Sequence, residues 1–268
     1  MDYLTQPISN AYNTCMTKSD EYKKKLNLLE DWDSYLLHES GLPGPRGNLE
    51  LAQVVANMGT QELFERYLTY DADQAPTNSP YEFLAFCGVV GMGRLLAEGK
   101  VDALETLRSF ANDRRWRTRE AVAMALQRLG DADMDFLIRA MQEWSKGTFL
   151  EQRAAAAALC EPKLLGRAED VRAVLQMLDE ITAAMQMAEN RKSADYRVLR
   201  KGMGYCWSVA VAALPGEGKK AMEKWLASPD KDVRWVMREN LKKERLVRMD
   251  AEWVEEWLAS ISPKSVTY

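Results

Sequence analysis

Three stretches of this chain repeat one spacing, an aromatic residue followed nine positions later by an arginine: Phe110 to Arg119, Trp144 to Arg153 and Trp225 to Arg234. The last two copies align without gaps over Ala140-Met141-Gln142-Glu143-Trp144 and Ala221-Met222-Glu223-Lys224-Trp225. The first two lie 34 residues apart, and the next interval, 81, is close to two periods of about 40. Stacked helical repeats leave this kind of self-similarity, because each unit buries its apolar face only against its neighbours. Such chains present an extended face more readily than a single cleft.

The segments between these landmarks read as helix almost throughout. Apolar residues recur at three and four positions, strand-like alternation is absent, and Ala, Leu, Met, Glu and Arg abound. Ser79-Pro80-Tyr81-Glu82 and Thr148-Phe149-Leu150-Glu151 have the form of capping boxes, and Asn48, Thr60, Asp133 and Asp250 fit N-caps. Gly59, Gly99 and Gly130 fit the left-handed residue that ends a helix. These signals predict helices over 18–39, 48–58, 61–70, 80–98, 100–111, 116–129, 134–145, 149–160, 168–188, 194–213, 217–227, 231–245 and 251–261. No break is long or polar enough to part domains. The expected organisation is an N-terminal extension over 1–17, divergent or capping helices over 18–98, repeats over 99–262 and a tail over 263–268.

In each matched unit the aromatic closes a first helix and the arginine opens a second. Asp113 is followed by Arg119, then by Ala121, Ala123, Ala125 and Leu126. Ser228-Pro229-Asp230-Lys231-Asp232-Val233-Arg234 with Leu241 gives the fuller turn, whereas the middle copy has Gly147 at the acidic position and its leucine early, at Leu159. In these residues the chain resembles the HEAT-repeat family, including its HEAT-like or armadillo-like bacterial members. The resemblance covers residues 100–261 and implies an all-α, right-handed α-α superhelix (solenoid) of about five to six helix pairs. It implies that Arg119 and Arg234 staple turns or neighbouring repeats, and that the second helices line the inner surface. Phe110, Trp144 and Trp225 are expected as wedges between helix layers.

The repeat pattern is also similar to that of HEAT-like alkylpurine DNA glycosylases, which begin repeat helices with tryptophan and arginine and bind DNA on the concave face. Those enzymes use a motif of two Trp and two Asp. The nearest string here, Glu30-Asp31-Trp32-Asp33, has one tryptophan and lies outside the repeats, so no catalytic residue carries over.

Several groups of residues are candidates for contact with a partner. Arg114, Arg115, Trp116 and Arg117 form a cationic and aromatic cluster of the kind that clamps phosphates and stacks bases. Arg197, Arg200 and Lys201 share one side of a helix, as do Arg234, Arg238 and Lys242, giving a basic stripe suited to an acidic partner. Trp235 is the expected exposed aromatic anchor. Arg46, in the glycine- and proline-rich loop from Ser40 to Asn48, stands where a helix N-terminus can hold an anion.

The totals narrow the function. Net charge is −4, from 36 basic against 40 acidic residues, which argues against chain-wide attraction to phosphate backbones. One histidine, His38, leaves no Ser-His-Asp set and no histidine-rich zinc site, and near its helix end it is expected to cap carbonyls. Cys15, Cys87, Cys160 and Cys206 lack CxxC pairing and read as reduced thiols of a cytoplasmic protein. No apolar run reaches the roughly 18 residues of a membrane span. The expectation is a non-enzymatic scaffold without metal or cofactor, binding an unidentified, acidic protein partner, with nucleic-acid binding as the alternative.

Overall fold

The computed structural model describes residues 16–261, and every regular element within them is helical. The order is α1 (Lys18–Leu26), α2 (Asp33–Glu39), α3 (Leu49–Met58), α4 (Gln61–Leu68), α5 (Pro80–Ala97), α6 (Ala103–Ala111), α7 (Trp116–Ala132) and α8 (Met134–Trp144). Then come α9 (Phe149–Leu159), a 3-10 turn (Pro162–Leu164), α10 (Ala168–Met187), α11 (Ala194–Ala213), α12 (Pro215–Leu226), α13 (Lys231–Leu241), α14 (Glu244–Met249) and α15 (Ala251–Ile261). Cys15, most of the expected N-terminal extension and the 263–268 tail lie outside the described residues.

The local signals account for six helix starts. Asn48, Thr60, Ser79, Asp133, Thr148 and Asp250 each accept a backbone N–H from the turn they open. The box at Thr148 and Glu151 is complete. At Ser79 only half forms, because the Glu82 carboxylate accepts from the Asn78 N–H at 2.7 Å instead of from Ser79. Of the three glycines, Gly99 alone is left-handed, with φ +95°. Gly59 is extended, and Gly130 lies inside α7, where its missing side chain admits Leu137 and Leu164.

Two predicted helices are split. The segment 18–39 breaks between α1 and α2, where the Trp32 indole donates to the Leu26 carbonyl at 3.1 Å and satisfies the end of α1. The segment 231–245 breaks between α13 and α14, where the Lys243 N–H closes back on the Asn240 carbonyl. The Asn240 side chain then ties α13 to α11, accepting from the Ser208 N–H at 2.8 Å and donating to the Met203 carbonyl at 2.8 Å.

From α3 onward each odd-numbered helix packs against the next: α3 on α5, α5 on α7, and so through α9, α11 and α13 to α15. The even-numbered helices α6, α8 and α12 each touch the odd-numbered helix on either side, and α10 bridges α8 and α12. Trp144 and Trp225 are buried and Phe110 is half-buried against the core. The Trp225 indole N–H finds Asp179 at 2.7 Å, as a buried tryptophan requires.

The recurring arginines tie backbone to backbone. Arg119 donates to the carbonyls of Asp113 (2.5 Å) and Arg114 (3.0 Å) in its own turn. Arg153 reaches from α9 to the Arg119 carbonyl of α7 at 3.0 Å and to the Glu120 carboxylate. Arg234 reaches from α13 to the Ile261 carbonyl of α15 at 3.1 Å.

Glu151 joins this frame with a pH dependence. Burial pushes its carboxyl upward, but hydrogen bonds from Arg108 and Asn112, the Arg108 charge and the Thr148 N–H outweigh it and hold the group below its ordinary range. A carboxyl depressed in the folded state stabilises above its unfolded pKa, about 4.3, and loses that contribution as pH falls through the lower folded value. The urea midpoint of wild type should therefore exceed that of Glu151→Gln at pH 7, and the gap should close below pH ~4. A gap that stays constant would refute this coupling.

Candidate functional site

Trp116 is the first residue of α7, after Arg115 has held an extended backbone. Successive residues of a starting helix point about 100° apart, so the arginine run is dealt out in different directions. Arg114 stays exposed, paired with Asp73 at 2.7 Å. Arg115 is 1% exposed and bonds the Asp113 carboxylate and the carbonyls of Tyr70, Asp71 and Ala75. Arg117 is also buried, on Glu82 (3.1 Å), the Gly44 carbonyl (2.6 Å) and Asn78 (3.2 Å). The sequence suggested one clamp. The structure withdraws Arg115 from any partner and commits Arg117 to the loop before α3, because buried guanidinium groups must be paired.

Trp116 itself remains 45% exposed, with the Arg117 guanidinium 4.4 Å from its ring centre. It stands between two cavities. The first, of about 270 Å³, lies under the loop from Ser40 to Asn48 between α5 and α7, with Leu42, Phe83, Phe86 and Met124 as walls and Arg46 and Glu120 among its lining. Arg46 and Trp116 were separate candidates in the sequence; here they line the same space. Arg46 is exposed.

The second cavity, of about 510 Å³, runs over α7, α9 and α11 and shares Trp116, Glu120 and Met124 with the first. Arg119, Arg153 and Lys201 face it together with Glu161 and Tyr205. The Arg119 pKa is drawn down by burial and then by the neighbouring Arg153 guanidinium. Arg119 remains charged; its hydrogen bonds go to backbone carbonyls, while Arg153 beside it is paired with Glu120. A third cavity, of about 470 Å³, is lined by Arg200, Asp232, Arg234, Trp235, Arg238 and Ile261.

The C-terminal candidates divide accordingly. Lys201 faces the middle cavity, Arg200 and Arg238 the third, and Arg197 is exposed outside both. Arg200 is paired with Asp232 at 2.7 Å, and Lys242 with Glu239 at 2.6 Å. Trp235 is not the exposed anchor expected. Its ring packs on Gly204, Arg200 lies 4.3 Å from the ring centre, and it is half-buried. The exposed aromatic on this side is Tyr205, 42% exposed, with the Arg245 guanidinium 4.6 Å from its ring centre. Its signal was its position four residues after Lys201, which puts both on one helix face.

The remaining sequence candidates are quickly placed. His38 is exposed and pairs with the Glu39 carboxylate at 2.9 Å, capping no carbonyl. Cys87, Cys160 and Cys206 are buried free thiols, and burial pushes Cys87 and Cys160 up. Among the described residues no three His, Cys, Asp or Glu side chains gather as metal ligands, and no helix is long and apolar enough to cross a membrane.

The chain matches no protein-family model and no curated protein. A functional reading therefore rests on the groove itself.

Proposed function

We propose that the chain is a non-enzymatic, right-handed HEAT-like solenoid of five or six helix pairs that binds an acidic segment of another protein across α7, α9 and α11. The unbroken series of contacts from α3 to α15 supports the architecture. One observation carries the binding reading: exposed Trp116 and Tyr205 flank a groove in which Arg119 and Arg153 crowd each other beside Lys201. Exposed aromatics around a desolvated cationic centre are what an interface uses as anchors.

Nucleic acid is the weaker reading. Two of the clustered arginines, Arg115 and Arg117, are buried and so are withdrawn from a phosphate backbone. Fluorescence anisotropy with a labelled Asp/Glu-rich peptide containing tryptophan, and with single-stranded and duplex DNA, separates the two. The peptide should bind and weaken at least about tenfold in Trp116→Ala combined with Tyr205→Ala. Salt-sensitive DNA binding without peptide binding would replace this reading with the other.

A further inference from the structure

The third cavity differs from the groove across α7, α9 and α11 in its balance of charge. Lys231, Arg234 and Arg238 are spaced three and four apart on α13, so they share one helix face and repel one another along it. Arg200 joins them from α11, which packs on α13. Four cations thus face one lining carboxylate, Asp232, and Arg200 already engages it at 2.7 Å. The neighbouring Asp230 is engaged by Arg191 at 2.6 Å. Arg234 donates to the Ile261 carbonyl at 3.1 Å, but among the described residues no carboxylate pairs with Lys231, Arg234 or Arg238.

These free groups are within reach of a ligand. Lys231 and Arg234 are exposed. Arg238 is half-buried: its Nε is shielded from solvent, whereas its two Nη atoms stay accessible and have no partner among the described residues. In the groove, by contrast, Arg153 is paired with Glu120.

We propose that this cavity binds a small phosphomonoester, its dianionic phosphate among Lys231, Arg234 and Arg238 and its apolar ester group beside Trp235. The charges favour the dianion. Three cations without a carboxylate suit two negative charges better than one, and guanidinium forks match phosphate oxygens two at a time. The volume favours an ester over a bare ion: about 470 Å³ falls in the range of pockets that hold small organic ligands. Trp235 and Ile261 supply the apolar part of the lining. The frame is partly set beforehand, because Asp232 holds Arg200 and the Ile261 carbonyl holds Arg234, which lowers the ordering cost of binding.

The probe is phenyl phosphate, titrated calorimetrically into the full chain at a pH of about 8, where a phosphomonoester is dianionic. Methyl phenyl phosphate keeps the ring and loses one charge; inorganic phosphate keeps the charge and lacks the ring. Phenyl phosphate should saturate one site and bind at least about tenfold more tightly than either. Arg238→Met keeps the aliphatic stem and removes the charge, and should weaken phenyl phosphate at least about tenfold. Lys242→Gln removes the same charge from the end of α13, where Lys242 is paired with Glu239 at 2.6 Å and does not line the cavity, and should leave the affinity within about twofold. Lys231→Gln changes only an exposed side chain, should weaken binding at least about threefold, and keeps the test alive if Arg238→Met does not fold. No saturable binding, either comparator binding as tightly as phenyl phosphate, or equal weakening by Arg238→Met and Lys242→Gln overturns the proposal. Arg238 lies outside the groove flanked by Trp116 and Tyr205, so the peptide titration tests that reading separately.

Discussion

Arg115→Ala is expected to cost about 3–5 kcal/mol of folding stability, the range for removing one partner of a buried ion pair. The guanidinium is 1% exposed and makes a two-point contact with Asp113 (3.0 and 2.7 Å). It also donates to the carbonyls of Tyr70 (2.9 Å), Asp71 (3.2 Å) and Ala75 (3.2 Å). Truncation strands a carboxylate and three acceptors where water has little access. Arg115→Lys should recover less than half of the loss, because one ammonium cannot span the carboxylate and the carbonyls together. The control is its neighbour: Arg114 and Asp73 are both largely exposed, and Arg114→Ala should unfold at the wild-type urea concentration within error. Equal urea midpoints for the two alanine variants would show that the buried network contributes nothing.

That contrast explains how far the sequence could be read. Arg114, Arg115 and Arg117 look alike in the chain, and local pattern places all of them at the opening of one helix. What distinguishes them lies elsewhere in the fold: the carbonyls before α5 for Arg115, and Glu82 with the Gly44 loop for Arg117. The helix starts were legible because a cap is a contact three residues long. The break between α1 and α2 was not, because it depends on the Trp32 indole turning back to Leu26. The first cavity was legible only in parts. Arg46 and Trp116 each stood out, but the packing of α5 on α7 is what brings them to one space. Trp235 and Tyr205 exchanged roles for a similar reason: Gly204 opens room for the indole against α11, and the residue after it is turned outward.

The packing of α5 on α7 also decides the second large effect. Gly93→Ala should destabilise by about 3 kcal/mol, at the upper end of overpacking costs. A methyl group there would sit 2.4 Å from Cα, 2.6 Å from Cβ and 2.7 Å from the carbonyl oxygen of Ala125. Two of those three atoms are backbone, so Ala125→Gly in the same chain should fail to rescue it; the helices must move apart instead. A glycine inside a helix gives up about 1 kcal/mol of helix propensity relative to alanine, which the close crossing of α5 and α7 offsets. Gly166→Ala, where the added atom meets nothing within 4 Å, serves as the silent control. The consequence reaches the site, because Phe83 and Phe86 belong to α5 while Trp116 and Met124 belong to α7. Separating the helices widens the first cavity without touching any residue that lines it. A Gly93→Ala protein that unfolds at the wild-type urea concentration, or that Ala125→Gly restores, would mean that α5 and α7 do not cross backbone to backbone at Gly93.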